Sequence, residues 1–192
     1  MIGRKPQLAV ALPDGTLHLT RVVGTDPESD IALLHSIAFA PRDDLQGGLL
    51  NCSANGFAMD VSCHSFVHMA KLAAPLMRDG GTMFAMAYHG ANKMVPTYSV
   101  MGPVKAALEA CWRYLAYELR PKGIRVHAIS PGPLKTRAAS GINDFQLLLH
   151  EAEQRAPLGK LVDIMDVGYS CGFPSTPYAR PRRARRSIST AP

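Results

Sequence analysis

The sequence predicts an α/β protein built on a parallel sheet, and three stretches of it carry that reading. Residues 31–34 (IALL) form a short, continuous apolar run, the pattern expected of a strand covered on both faces. Residues 82–87 (TMFAMA) and 124–129 (IRVHAI) are two further strand-like runs. Between them, residues 100–119 have the Ala, Leu and Glu content of a helix, closed by Pro121 and Gly123. Strand, crossover helix and strand form the repeating unit of parallel sheets.

The elements follow in order. Residues 7–34 read as short β-rich segments: two alternating stretches around the turn Pro13-Asp14-Gly15, then Thr25-Asp26-Pro27 before the apolar run. Asp60 is placed to cap a helix running through Met77 and stopping at Gly80 and Gly81. The strand at 82–87, the helix at 100–119 and the strand at 124–130 come next, the last running straight into Ser130-Pro131-Gly132-Pro133. A helix beginning near Asp166 is broken by Pro174. The expected architecture is three-layered, with strands at 31–36, 82–87 and 124–130 adjacent and parallel.

Composition narrows the classes. The chain has 192 residues, 47% of them apolar and 19% charged, enough for a real core and too apolar for disorder throughout. No apolar run reaches the roughly 18 residues needed to cross a bilayer; the best, residues 31–41, is interrupted by His35 and Ser36. The start, MIGRKPQLAVALPDG, has an apolar core too short for a signal peptide, so a cytoplasmic protein is expected. The formal charge of +6 sits in the tail, where Arg180, Arg182, Arg183, Arg185 and Arg186 leave 16 basic against 15 acidic residues in the rest. With no aromatic residue after Tyr178, that tail reads as a solvated, disordered end and not as a nucleic-acid surface. Cys52, Cys63, Cys111 and Cys171 lack the spacing of a zinc knuckle or disulfide framework. His64 and His68 beside Cys63 lack a third ligand at a sensible spacing, so no metal is expected.

Open parallel sheets bind ligands at the carboxyl ends of their strands. There, after the strand at 82–87, stand Tyr88, Tyr98 and Lys105. If residues 98–105 are helical, seven residues are two turns, and Tyr98 shares a face with Lys105. An ammonium group so placed favours a more acidic phenol and can donate hydrogen bonds to a neighbouring ribose. A core-edge tyrosine and a surface lysine would show the same spacing, so the surrounding residues must decide.

Those residues carry a resemblance. HSIAFAPRDDLQG (35–47), AMDVSCHSF (58–66), YHGANKMVPTYSVMGPVKAALEACWRYLAYEL (88–119) and PKGIRVHAISPGPLKTRAASGI (121–142) resemble bacterial enoyl-(acyl-carrier-protein) reductase of the short-chain dehydrogenase/reductase superfamily. Ordinary members of that superfamily use Tyr-x-x-x-Lys. Here Gly102 stands where that lysine belongs, and the wider spacing from Tyr98 to Lys105, with Tyr88 upstream, is the enoyl-reductase variant.

The resemblance implies a Rossmann-type α/β/α fold over residues 31–172 and hydride transfer from NADH to the β-carbon of a trans-2-enoyl thioester on acyl carrier protein. Tyr98 would hydrogen-bond the thioester carbonyl and stabilise the enolate, Lys105 would hold the nicotinamide ribose, and Tyr88 would flank the acyl chain. Phe39, Met101, Ile142 and Phe145 would wall an apolar slot. Ser36, Ile37, Ala38, Gly132, Leu134 and Thr136 would contact the cofactor, and residues 138–142 would form a mobile flap. A homotetramer is the family's usual assembly.

The departures from the family are equally specific. The opening strand, glycine-rich turn and second strand that receive the pyrophosphate and adenine are missing, so an incomplete sheet lacking the first βαβ unit and much weakened NADH binding are expected. In their place residues 7–34 resemble part of a trypsin-like serine protease of the HtrA type, Asp30 matching the triad aspartate. No serine in an oxyanion-hole loop accompanies it, so no protease is implied. The expected division is therefore 1–30 of different origin, 31–172 a partial reductase domain and 173–192 a tail. The alternative to a reductase is a non-catalytic fusion or frameshifted remnant.

Overall fold

A computed structural model describes residues 7–11, 17–21, 31–36, 49–52, 59–96, 98–134, 144–175 and 186–189. Strands β1 (Gln7–Ala11) and β2 (Leu17–Arg21) pair antiparallel with Ala11 opposite Leu17, the hairpin that two alternating stretches around a Pro-Asp-Gly turn would make. The turn residues themselves lie outside the described residues.

Four parallel strands form the main sheet in the order β3-β4-β5-β6: Ile31–His35, Gly81–Met86, Ile124–Pro131 and Arg186–Ser189. Ile31 pairs with Gly81, Gly81 with Ile124 and Ala128 with Arg186. The three strands expected from sequence are adjacent and parallel, each within a residue or two of its expected bounds. The fourth is a correction. The basic tail, expected to be without regular structure, contributes Arg186–Ser189 to the edge that β5 would otherwise leave open.

The sheet is covered on both faces, and its residues alternate accordingly. On one face lie α1 (Ser65–Ala73), preceded by a π-helical turn at Asp60–His64, and α2 (Met101–Glu118). They bury Phe66, Ala70, Val104, Leu108 and Trp112 against Leu33, Met83, Ala85, Val126 and Ala128. The inward residues of α2, Met101, Val104, Lys105, Leu108, Glu109 and Trp112, recur at helical spacing. On the other face α4 (Ile164–Gly172) sets Val167 against Phe84 and Ile129, and Thr82 Oγ1 donates to the carbonyl of Pro174 at 3.3 Å. The intervening helix, α3, spans Phe145–Arg155.

Two local differences from the sequence reading have physical causes. Asp60 does not cap a helix; it is the first residue of the π turn, and its carboxylate meets His64 Nδ1 at 3.1 Å. The helix expected to run through Met77 ends at Ala73, and Gly80 and Gly81 lead into β4 instead, where Gly80 meets a close-approach constraint. At φ +91° its missing Cβ would fall 2.8 Å from the Gly123 carbonyl oxygen, so only glycine lets the starts of β4 and β5 close up.

Candidate active site

The candidate residues converge where β3, β4 and β5 end. Beyond Met86 the ladder persists for one bond, from Ala87 N–H to the Ile129 carbonyl at 2.8 Å, before Tyr88 turns away. A 3₁₀ turn at His89–Ala91 follows, tied to α2 by the Asn92 amide, which donates to buried Glu109 at 3.2 Å. Tyr98 then returns to lie against Tyr88, with ring centroids 4.7 Å apart and planes tilted by 52°. Both rings need Gly90: a Cβ there would stand 2.6 Å from Tyr98 Cδ1 and 3.3 Å from Tyr88 Cδ1.

Tyr98 is not on the helix with Lys105. Ser99 takes φ +43°, a left-handed conformation costly for a non-glycine residue, and α2 starts only at Met101. A shared helical face is therefore not what relates the two residues. They meet this end of the sheet separately, Tyr98 from the turn before the helix and Lys105 from its second turn. Gly102, at the position of the superfamily's usual lysine, faces the Gly90 carbonyl, 3.2 Å from where a Cβ would be. A side chain at that position would have to push the Gly90 carbonyl back by a few tenths of an ångström.

Lys105 is only 7% exposed, and its Nζ donates to the Met86 carbonyl at 2.7 Å. Burial lowers its pKa to about 8, against a smaller opposing pull from Cys63. Tyr98 is 8% exposed, and burial, then the neighbouring Tyr88, push its pKa far above the usual phenol value. Burial raises Tyr88 in the same direction. The net shift is upward, so this phenol is less acidic than a free one, not more acidic as the spacing suggested. At neutral pH Tyr98 is a neutral O–H donor in a dry corner, and the Lys105 ammonium, seated on the Met86 carbonyl, has N–H bonds to spare.

His35 was not among the expected site residues, yet it closes β3 at 2% exposure, with Nε2 2.7 Å from Ser65 Oγ and its ring 5.4 Å from that of Phe66. Burial, then the Lys105 charge, lower its pKa to about 4, so it is neutral. The alternation of β3 carries the missing signal: His35 shares the inward face of Leu33, while Leu34 between them is 49% exposed.

A cavity of about 480 Å³ opens beside this corner. Tyr88 and residues 93–96 form one wall, Ser130 to Pro133 another, and α3 with residues 156–162 the third. It is apolar at Met94, Val95, Leu147 and Leu148, and its charged lining is mixed: Lys93, Arg155 and Lys160 with Asp144 and Glu151, Arg155 pairing with Glu151 along α3 at 3.5 Å. Tyr88 and Gly132 line it; Tyr98 and Lys105 do not, Tyr98 being in contact with the Tyr88 ring.

The remaining expected residues divide. Ser36 is exposed just past β3. Met101 is buried in the core between α2 and the sheet, and Leu134 packs with Phe84 and Ile129 on the opposite face. Neither belongs to the cavity wall. Phe145 begins α3 but is not among the cavity's residues, whereas its neighbours Leu147 and Leu148 are. Ile37, Ala38, Phe39, Thr136, Ile142 and the proposed flap at 138–142 lie outside the described residues. Among the described residues no cluster of three or more metal-binding side chains occurs, and no helix is long and apolar enough to cross a membrane.

Comparison with known proteins gives one consistent family. Residues 26–179 match the family described as enoyl-(acyl carrier protein) reductase. The chain is 50% identical over 140 residues to enoyl-(acyl-carrier-protein) reductase (NADH) 1 of Rhizobium meliloti, covering 72% of this chain and 52% of that protein. It is 46% identical over 143 residues to the Escherichia coli K12 enzyme FabI, covering 73% and 55%. Among solved structures, the Aquifex aeolicus reductase superposes with a TM-score of 0.79 at 40% identity, over 83% of this chain and 63% of that one. The chain thus spans about half the length of the curated relatives it matches. The protease-like reading of residues 7–34 is not supported, and the reductase match takes in residues 26–34, Asp30 among them.

Proposed function

The chain belongs to the enoyl-(acyl carrier protein) reductase family, and from that premise we propose that it reduces trans-2-enoyl thioesters of acyl carrier protein with NADH, with Tyr98 and Lys105 at the reacting end. The observation that carries this reading is the dry corner itself: a phenol held neutral by burial, against Tyr88, at the strand ends where Lys105 is fixed on the Met86 carbonyl.

Each residue has a chemical task that its surroundings suit. Tyr98 donates its O–H to the thioester carbonyl oxygen and stabilises the negative charge that grows there as the enolate forms; a water-excluded donor is worth most at that point. Lys105 has three N–H bonds, one of them on Met86; the others suit a pair of ribose hydroxyls, which fits a nicotinamide nucleotide. NADH, when bound, supplies the hydride that reaches the β-carbon. Tyr88, shared between the corner and the cavity, borders the acyl chain; Gly132, in the cavity wall, allows close backbone approach for the cofactor, and Ser36, exposed at the end of β3, is a second cofactor contact. The apolar part of the cavity lining, Met94, Val95, Leu147 and Leu148, suits an acyl chain. A homo-oligomer and a cytoplasmic location are part of the same proposal; Tyr114 and Tyr117, both exposed on α2, offer surface to a second copy.

The test is an NADH fluorescence titration of the chain alongside crotonyl-thioester-dependent NADH oxidation. Saturable NADH binding with thioester-dependent turnover supports the reading. No binding at millimolar cofactor overturns it for this chain.

A further inference from the structure

We propose that Cys63 and Cys111 form an oxidisable dithiol, a modification site at which a small peroxide closes an internal disulfide between the Asp60–His64 turn and α2. The two Sγ atoms lie 3.6 Å apart although the residues are 48 positions apart in sequence. Closing a disulfide of about 2.0 Å asks each sulfur to move by less than about 1 Å, within reach of side-chain rotation.

The two sulfurs are unequal, which sets the order of events. Cys63 is buried at 3% exposure, whereas Cys111 is partly exposed and meets the oxidant first. The Cys111 thiolate attacks one peroxide oxygen; the S–O bond forms, the O–O bond breaks, and the departing hydroxide leaves as water after taking a proton. Cys111 is then a sulfenic acid, oxidised by two electrons that the peroxide has accepted. The Cys63 thiolate attacks the Cys111 sulfur, the S–S bond forms, the S–O bond breaks, and hydroxide again leaves as water. The sum is two thiols and one peroxide giving a disulfide and two waters.

In the reduced state the Cys63 thiol is pushed up to about 12, first by burial, then by its hydrogen bond to Cys111 and by the charge of Cys111, with Lys105 acting the other way. Oxidation of Cys111 removes that thiolate's charge and leaves Lys105 in place, so the resolving thiolate becomes easier to form at the moment it is needed. Cys171 is an internal control. Burial pushes its thiol up to about 11, yet it packs with Phe84 and Ile129 on the opposite face of the sheet, away from both partners.

The experiment treats the full chain, folded, with hydrogen peroxide, alkylates the remaining thiols and maps peptides without reduction. The expected product joins the tryptic peptides 43–71 and 106–113, is lighter by two hydrogens, carries its link on Cys63 with Cys52 alkylated, and separates on reduction. Cys171 stays alkylated. In Cys63→Ser the sulfenic acid at Cys111 has no resolving partner and proceeds to sulfinic acid. If that variant does not fold, phenylarsine oxide on the unmodified chain serves instead, its arsenic bridging both thiols and protecting both from alkylation. A map in which Cys63 and Cys111 remain alkylated, in which Cys111 is a sulfinic acid in the unmodified chain, or in which the link falls on Cys52 or Cys171 overturns the proposal. None of these readouts depends on reductase activity.

Discussion

The two faces of the parallel sheet are covered very differently. Against one, α1 and α2 bury a continuous layer from Leu33 through Phe66 and Leu108 to Trp112. Against the other, the described residues bury Phe84, Ile129 and Val167, with Met86, Leu134 and Cys171 partly buried around them. The candidate site residues fall on the thick side. Lys105 and His35 are held within that layer, and the two tyrosines pack at its upper edge, with Tyr98 buried and Tyr88 half-buried. A reacting group must be held to a fraction of an ångström, and dense packing holds it there. The thin side carries the cover contributed late in the chain, α4 and the residues after it.

Truncating the centre of each layer tests the contrast most severely. Leu108→Ala removes a fully buried side chain from between α2 and the sheet and is expected to cost about 3–5 kcal/mol of stability. Urea unfolding measures it, and a loss below about 1 kcal/mol would mean that this layer is not the core.

A pH titration sharpens the same contrast from the electrostatic side. His35 has its folded pKa lowered from 6.5 to about 4, so between those values the unfolded chain binds more protons than the folded one, and stability falls as pH falls through that window. The full effect is roughly 3 kcal/mol and is complete only below about pH 4. Thermal melts from pH 7.5 to 4.5 should show it in the unmodified chain and lose most of it in His35→Gln. An equal acid sensitivity in both would remove His35 as its source.

The smallest effect belongs to the thin face. Val167→Ala loses less apolar contact, in a site with fewer neighbours to be left unfilled, and is expected to cost about 1–2 kcal/mol. A cost equal to that of Leu108→Ala would erase the difference between the faces.

How much of this was legible in the sequence varies by element. The strands at 82–87 and 124–130 were, because apolar runs bounded by Gly80, Gly81 and Gly123 have few other readings. The helix 101–118 was, because its Ala, Leu and Glu content is helical and Pro121 and Gly123 close it; that its buried stripe includes Lys105 is seen only in the structure. The place of Tyr98 was not: whether residues 98–100 join the helix turns on the φ of Ser99, which no composition reports. Nor was β6. Arg186–Ser189 has little intrinsic reason to be a strand and becomes one by pairing with β5, a non-local cause. The cavity was legible only in part, since Lys93, Gly132 and Lys160 are brought together by tertiary structure alone. The spacing of Tyr98 and Lys105 drew attention to the pair and the family resemblance gave them roles with Tyr88, but the shared helical face inferred from that spacing does not exist, since the helix starts at Met101.

The most direct measurement is the kcat of enoyl-thioester-dependent NADH oxidation for Tyr98→Phe against the unmodified chain, with NADH affinity measured on both. Removing one O–H from a buried ring leaves the contact with Tyr88 and the seat on Gly90 in place. If Tyr98 is the donor to the developing enolate, kcat falls by about 10²–10³ while NADH affinity stays within about twofold. A variant that turns over as fast as the unmodified chain would contradict the assignment of the dry corner as the reacting end.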